Sequence, residues 1–193
     1  RARCDQAEML LRLHQLKEAQ ATLTALLKDP LTARSRSRGL ALYLQGVASF
    51  LLEDYLAAGR TLNQLTPFRD PVFGGHARYL LGRVHHQTEE FAEAAAHYEG
   101  VMNDHEQNKK QAQELLKQPE RFKKAPAERA RLQALLKDPP PDYVMQAAFY
   151  HALLLYEAGR FADAAPRFAL FARQVPRSPL APEAVLRLGQ CQV

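Results

Sequence analysis

Four histidines crowd one stretch of the sequence: His76, His85, His86 and His97. Imidazole is the commonest protein metal ligand, so the first question is whether they converge on an ion. Two ligands on one helix usually sit three or four residues apart, which puts them on one face. His76 and His86 are ten apart, and His97 falls on the next expected helix. No Cys or acid completes a ligand set at a recognisable spacing. A polar surface or groove lining is the better reading, and neither a metal nor any other cofactor is expected. Gly74-Gly75 is not part of a phosphate-binding loop and reads as a turn before a helix. There is no nucleophile elbow and no Cys–His constellation. Cys4 and Cys191 stand at opposite ends, with no CxxC or zinc spacing. The acids Glu89, Glu90 and Glu93 fall at a helix start, where the helix dipole favours negative charge. An enzyme is not expected.

Two basic runs remain. Arg121, Lys123 and Lys124 flank Phe122 and form a patch that could meet phosphate or an acidic partner, although a solvated loop is the better reading. Arg34-Ser35-Arg36-Ser37-Arg38 reads as the polar start of a helix. The net charge of +5 is mild, and acids are interleaved with the bases, unlike the dense basic stripe of a nucleic-acid footprint.

What elements would carry these residues? The chain has 193 residues, 47% hydrophobic and 24% charged, as in ordinary globular proteins. It contains no isoleucine and is rich in Ala, Leu, Gln, Glu, Arg and Lys, which are helix formers. An all-α fold follows. No apolar run reaches the roughly 18–20 residues that span a bilayer. The sequence opens on Arg1 rather than Met, so a targeting segment outside it stays open.

A repeat organises the helices. Leu16-Lys17-Glu18-Ala19, Tyr55-Leu56-Ala57-Ala58, Phe91-Ala92-Glu93-Ala94 and Phe161-Ala162-Asp163-Ala164 each run from a large apolar residue to Ala. Four residues after that Ala comes a second large residue: Leu23, Leu62, Tyr98 and Phe168. Nine residues before the first large residue comes a small one: Ala7, Gly46, Gly82 and Ala152, with Gly189 a further 37 on. Two antiparallel helices can approach closely only where one side chain is small, and the large residue of the partner then fills the gap. A single such pair cannot bury its own apolar face, so neighbours must stack. Gly159 sits where the first helix should end in a left-handed residue. Pro30, Pro71 and Pro176 fall where the second helices should stop.

These residues resemble the tetratricopeptide repeat. The fullest match runs from Ala148 to Pro176 and includes Ala152, Gly159, Phe161, Ala164, Phe168 and Pro176. The three earlier repeats carry His14, Glu53 and Glu89 in place of the turn glycine. The resemblance implies a right-handed α-solenoid of antiparallel helix pairs. It would have about four repeats, an unpaired C-terminal helix and an inserted helical hairpin, all within one domain over residues 1–193. The segment Pro176-Arg177-Ser178-Pro179-Leu180-Ala181-Pro182-Glu183-Ala184 is similar to repeats of bacterial cell-envelope proteins. That points towards the periplasm or envelope, with the cytoplasm left open.

The 70 residues between Gly82 and Ala152 hold one repeat and a surplus at about 103–143, either a charged hairpin or a degenerate repeat. The pattern predicts a helix continuing to about Gln118, a break at Pro119, and a helix from about Ala125 to Lys137. Pro139-Pro140-Pro141 then enforces an extended linker. Residues Pro179 to Val193 read as the first helix of another repeat with no second helix, which implies a longer chain or a covering partner.

In the family resembled, the first helix of each repeat lines a concave groove. The corresponding positions are Tyr43, Val47 and Phe50; Tyr79, Arg83 and His86; and Phe149, Leu153 and Tyr156. Aromatics beside arginine are a composition that binding hot spots favour. The expected function is therefore a protein–protein interaction scaffold, holding a protein or peptide in the groove or on the inserted hairpin. One alternative is a structural subunit of a large multi-subunit assembly. The other, RNA binding by a base-per-repeat code, needs matching selector residues, and Val47, Arg83 and Leu153 show no such code. No small-molecule substrate, nucleic acid or membrane-spanning segment is expected.

Overall fold

A computed structural model describes residues 1–122 and 125–192. Those residues form helices and turns, with no strand among them. They divide into two compact units, Arg1–His97 and Tyr98–Val193.

The first unit is built of α1 (Ala2–Arg12), α2 (Leu16–Lys28), the one-turn α3 (Pro30–Ala33), α4 (Arg38–Leu51), α5 (Tyr55–Asn63), α6 (Gly74–Gln87) and the start of α7 (Phe91–Leu116). Sequential helices pack on one another: α1 on α2, α2 on α4, α4 on α5, and α5 on α6. The second unit holds the rest of α7, a 3-10 turn at Pro119–Phe122, α8 (Pro126–Lys137), α9 (Asp142–Glu157), α10 (Phe161–Gln174) and α11 (Ala181–Gln190). Here α10 packs against both α9 and α11.

The repeat read from the sequence is the repeat of the core. The small residues Ala7, Gly46, Gly82 and Ala152 are all buried. Ala19, Ala58, Ala94 and Ala164 are 0% exposed, as are the large residues Leu23, Leu62, Tyr98 and Phe168. The α4–α5 pair shows why Gly46 is small: a β-carbon there would lie 2.5 Å from Leu62 Cδ2. Gly189 carries the same pattern into α11, but nothing lies within 4 Å of its would-be β-carbon. Val185 and Leu186 on that helix are more than half exposed.

All four turns between paired helices share one backbone design. His14, Glu53, Glu89 and Gly159 adopt φ of 57°, 62°, 61° and 71°. Each donates its N–H to a carbonyl three residues back, and the following residue donates to one five back, as with Glu53 to Phe50 (3.0 Å) and Asp54 to Ser49 (2.9 Å). This is the Schellman closure, which satisfies carbonyls left open at a helix end. Only Gly159 adopts it without a side-chain penalty. A non-glycine residue in the left-handed region costs about 1–2 kcal/mol, partly offset by the extra freedom glycine has when unfolded. Replacing His14, Glu53 and Glu89 together with Gly is therefore expected to raise the stability of the first unit by about 2 kcal/mol. Urea midpoints followed by circular dichroism would read the gain, and Gly159→Ala should shift the second unit in the opposite direction.

The inserted segment follows its expected outline with small shifts. Helix α7 ends at Leu116, two residues short of the expected Gln118, and α8 starts at Pro126, with proline at its first turn. Phe122 differs from expectation: it is 4% exposed, so the aromatic between the basic residues is part of the interior and does not lie on a solvated loop. Among the described residues no helix is long and apolar enough to cross a membrane.

Candidate functional site

The groove positions of the first unit lie on α4 and α6. Tyr43 and Val47 are half-buried and face a cavity of about 590 Å³ that also touches α1 and the loop before α6. Leu11, Leu40 and Leu44 supply its apolar floor. Phe73 forms an aromatic wall with Tyr43, their rings stacked at 5.6 Å and 14°, and His76 meets Tyr43 edge-on at 6.5 Å.

The loop at residues 64–73 puts Phe73 there. Asp70 accepts hydrogen bonds from the backbone N–H groups of Val72 (2.8 Å) and Phe73 (3.1 Å). Its carbonyl accepts from Gly74 N–H at 2.9 Å. The turn is so tight that a β-carbon on Gly74 would sit 2.1 Å from the Phe68 carbonyl oxygen. The Gly74-Gly75 pair is thus the first residue pair of α6, and Gly74 holds the loop against the helix.

Charge surrounds the cavity unevenly. Glu8 is engaged by Arg12 at 2.7 Å, and Asp70 is occupied by its loop. Arg1 pairs with Asp5 at 3.1 Å. Arg36 lines the rim and is exposed, with no ion-pair partner among the described residues. Burial raises the Tyr43 phenol, helped by the Glu8 charge, and lowers the His76 imidazole against the opposing pull of the Val72 carbonyl. At neutral pH both are uncharged, so the interior of the cavity is neutral and the charges lie at its rim, where Arg36 is the base without an ion-pair partner among the described residues.

The other first-unit positions form a second cluster. The Arg83 guanidinium lies 5.8 Å from the centre of the Phe50 ring, within cation–π range, and its Nη1 donates to the Tyr79 hydroxyl at 3.4 Å. His86 is only 9% exposed and meets Phe91 edge-on at 6.1 Å, so it belongs to the interior between helices more than to a groove.

The second unit departs from the expectation. Phe149 is 1% exposed, with Phe171 at 5.3 Å and Phe168 at 5.8 Å. It is a core residue and not a groove-lining one. The reason is local: α10 presents two phenylalanines to this position of α9, and their rings close over it. Leu153 is half-buried against the same core. Tyr156 is held by α11, with the Arg187 guanidinium 5.0 Å above its ring and its hydroxyl donating to Gln190 Oε1 at 3.1 Å. Of the basic patch, Arg121 pairs with Glu128 at 3.1 Å, while Lys123 and Lys124 lie outside the described residues.

Among the described residues no three His, Cys, Asp or Glu side chains gather in a way that could hold a metal ion. The histidines have other work. His85 Nδ1 lies 2.6 Å from Glu90 Oε2, and its ring stacks on His97 at 5.2 Å and 8°. His97 also meets Phe68 edge-on at 6.1 Å. Burial, the neighbouring His85 and Arg78 lower the His97 imidazole to about 4. In the second unit His151 is buried between Glu99, 3.1 Å from its Nε2, and Arg167, 3.2 Å from its Nδ1. Arginine can only donate, so Nδ1 accepts and Nε2–H donates to Glu99. The result is a neutral imidazole tying three helices.

The His97 environment sets a pH dependence. Its folded value of about 4 lies below the ordinary 6.5, so the unfolded chain binds the extra proton between those values. Stability of the first unit should be full above pH 6.5, fall as the pH drops, and level off below 4. Allowing for partial exposure, the loss is expected to be about 2 kcal/mol from this residue. Urea unfolding across that range would read it, and His97→Phe should flatten the profile.

Sequence reasoning missed Phe73, Leu40 and the role of Arg36 at the cavity, since the groove pattern covers only helix positions. The signal for the loop was present in Asp70 and Gly74.

A sequence profile of the tetratricopeptide repeat matches residues 149–193, the stretch from within α9 through α11. No curated protein matches the chain. Repeats of this kind are in general protein–protein interaction modules. Helices that pack in adjacent pairs and the shared turn at His14, Glu53, Glu89 and Gly159 give the chain a helical-repeat fold, and its residues 149–193 are similar to the tetratricopeptide repeat.

Proposed function

We propose that this protein is a non-enzymatic interaction scaffold whose first unit holds an extended peptide segment of a partner protein on the face formed by α1, α4 and α6. The observation that carries the reading is the cavity of about 590 Å³ with the Tyr43–Phe73 wall. Its size is within the range of ligand pockets, and its apolar floor with few polar rim groups is the composition such sites use. At the corresponding positions of the second unit, Phe149 is in the core and Tyr156 is occupied by Arg187 and Gln190.

Panning a random phage-displayed peptide library on the whole chain tests this. Val47→Arg places a long charged side chain in the cavity and should weaken the enriched peptides at least about tenfold, while the thermal midpoint stays within a few degrees. Enriched peptides that bind the Val47→Arg variant as tightly as the parent would refute the groove reading. The half-exposed Val185 and Leu186 on α11 favour a second reading, packing into a larger assembly through that helix. Self-association abolished by Leu186→Glu would support it.

A further inference from the structure

We infer that the partner segment carries an aromatic side chain with an acidic side chain beside it, the aromatic seated against Tyr43 and Phe73 and the internal carboxylate paired with Arg36. This rests on the groove reading above and gives it a chemistry. At the rim Glu8 has Arg12 as its ion-pair partner, and Asp70 Oδ1 accepts from the Val72 and Phe73 amides. Arg36 alone among the rim bases has no ion-pair partner among the described residues, and it is exposed. A carboxylate arriving there gains a partner without displacing one, whereas a lysine or arginine at that point would meet the Arg36 charge.

The interior calls for a different group. Leu11, Leu40, Leu44 and Val47 are apolar, and the two ring walls are uncharged. A charged side chain placed among them would lose hydration with no counter-charge to replace it. A flat ring fits the stacked Tyr43–Phe73 pair, because aromatic pairs gain from offset or edge contacts beyond simple burial. Arg36 stands on the turn just before α4, Tyr43 is about one and a half turns into that helix, and both line the same cavity. The carboxylate and the ring are therefore neighbours on the partner and are not distant from each other. Because the acid is a side chain, a free C-terminus on the partner is not required.

The peptides enriched by panning decide the matter once resynthesised as fluorescein-labelled amides. The parent peptides should contain an aromatic within about three residues of Asp or Glu. Changing the acid to Gln should weaken binding about fivefold, the size of a partly exposed ion pair. Changing the aromatic to Ser should weaken it about thirtyfold. Arg36→Glu in the protein should remove the preference for acid over Gln, and over Lys invert it. If binding depends on Val47 but is indifferent both to the Gln change and to Arg36→Glu, the acidic pairing is wrong and the groove reading stands. Enriched peptides that are basic, or that bind only as free C-terminal acids, also overturn the proposal. Peptides that ignore Val47 overturn the groove reading itself.

Discussion

Replacing Phe149 with Ala should destabilise the second unit by about 4 kcal/mol, the range for emptying a buried aromatic site. The position discriminates between two descriptions of α9. As a groove residue Phe149 would be dispensable for folding and needed for binding. As the centre of a ring cluster with Phe168 and Phe171 it is the reverse. Its 1% exposure places it among the largest fully buried side chains, with Tyr98 and Phe168. The cavity left by the substitution has little chance to collapse, since the two facing phenylalanines come from a helix already held by α9 and α11. Urea denaturation of the whole chain, with hydrogen exchange on α9 as a local probe, measures the loss. A change below about 1 kcal/mol would return Phe149 to the groove.

Gly74→Ala should be nearly as damaging, by about 3 kcal/mol, although it adds only one methyl group. The new carbon would lie 2.1 Å from the Phe68 carbonyl oxygen, and a backbone atom cannot swing aside as a side chain can. The loop must move, and with it Phe73 and the cavity wall. The substitution should therefore weaken peptide binding as well as folding. Gly59→Ala is the control: its added carbon makes ordinary contact with Val84 Cγ1 at 3.4 Å. In the middle of α5 it should be neutral or stabilising by up to about 1 kcal/mol, because alanine favours helix. Equal losses at the two glycines would contradict the close approach at Gly74.

The core was legible because it obeys a period. Small, large and alanine positions recur at fixed offsets, and each offset maps to a fixed direction on a helix, so Ala7, Gly46, Gly82 and Ala152 mark close contacts wherever they fall. The turns were legible for a related reason. A Schellman closure is fixed by backbone hydrogen bonds, so the conformation persists at His14, Glu53 and Glu89 even without glycine. The site was only half legible. Helical phase puts Tyr43 and Val47 on a face of α4 that lines a cavity, but the same phase puts Phe149 on a face that α10 covers. Phase gives the direction of a side chain; what it meets depends on the neighbour, here Phe168 and Phe171 where the first unit has Leu62 and Leu65. The loop that supplies Phe73 has no period at all. Its shape comes from three hydrogen bonds to one aspartate residue and from a contact tolerable only to Gly74. Phe122 is buried although its sequence neighbours are charged, and Arg121 beside it stays exposed, so the charge around a ring does not decide where the ring goes.

Hydrogen–deuterium exchange of the whole chain, with and without a peptide from the panning, tests the central claim most directly. The account predicts slowed exchange in α4 and in the loop running into α6, over residues 36–47 and 70–76, with α9 unchanged. Slowed exchange confined to α8 or α11, with none in α4, would contradict it.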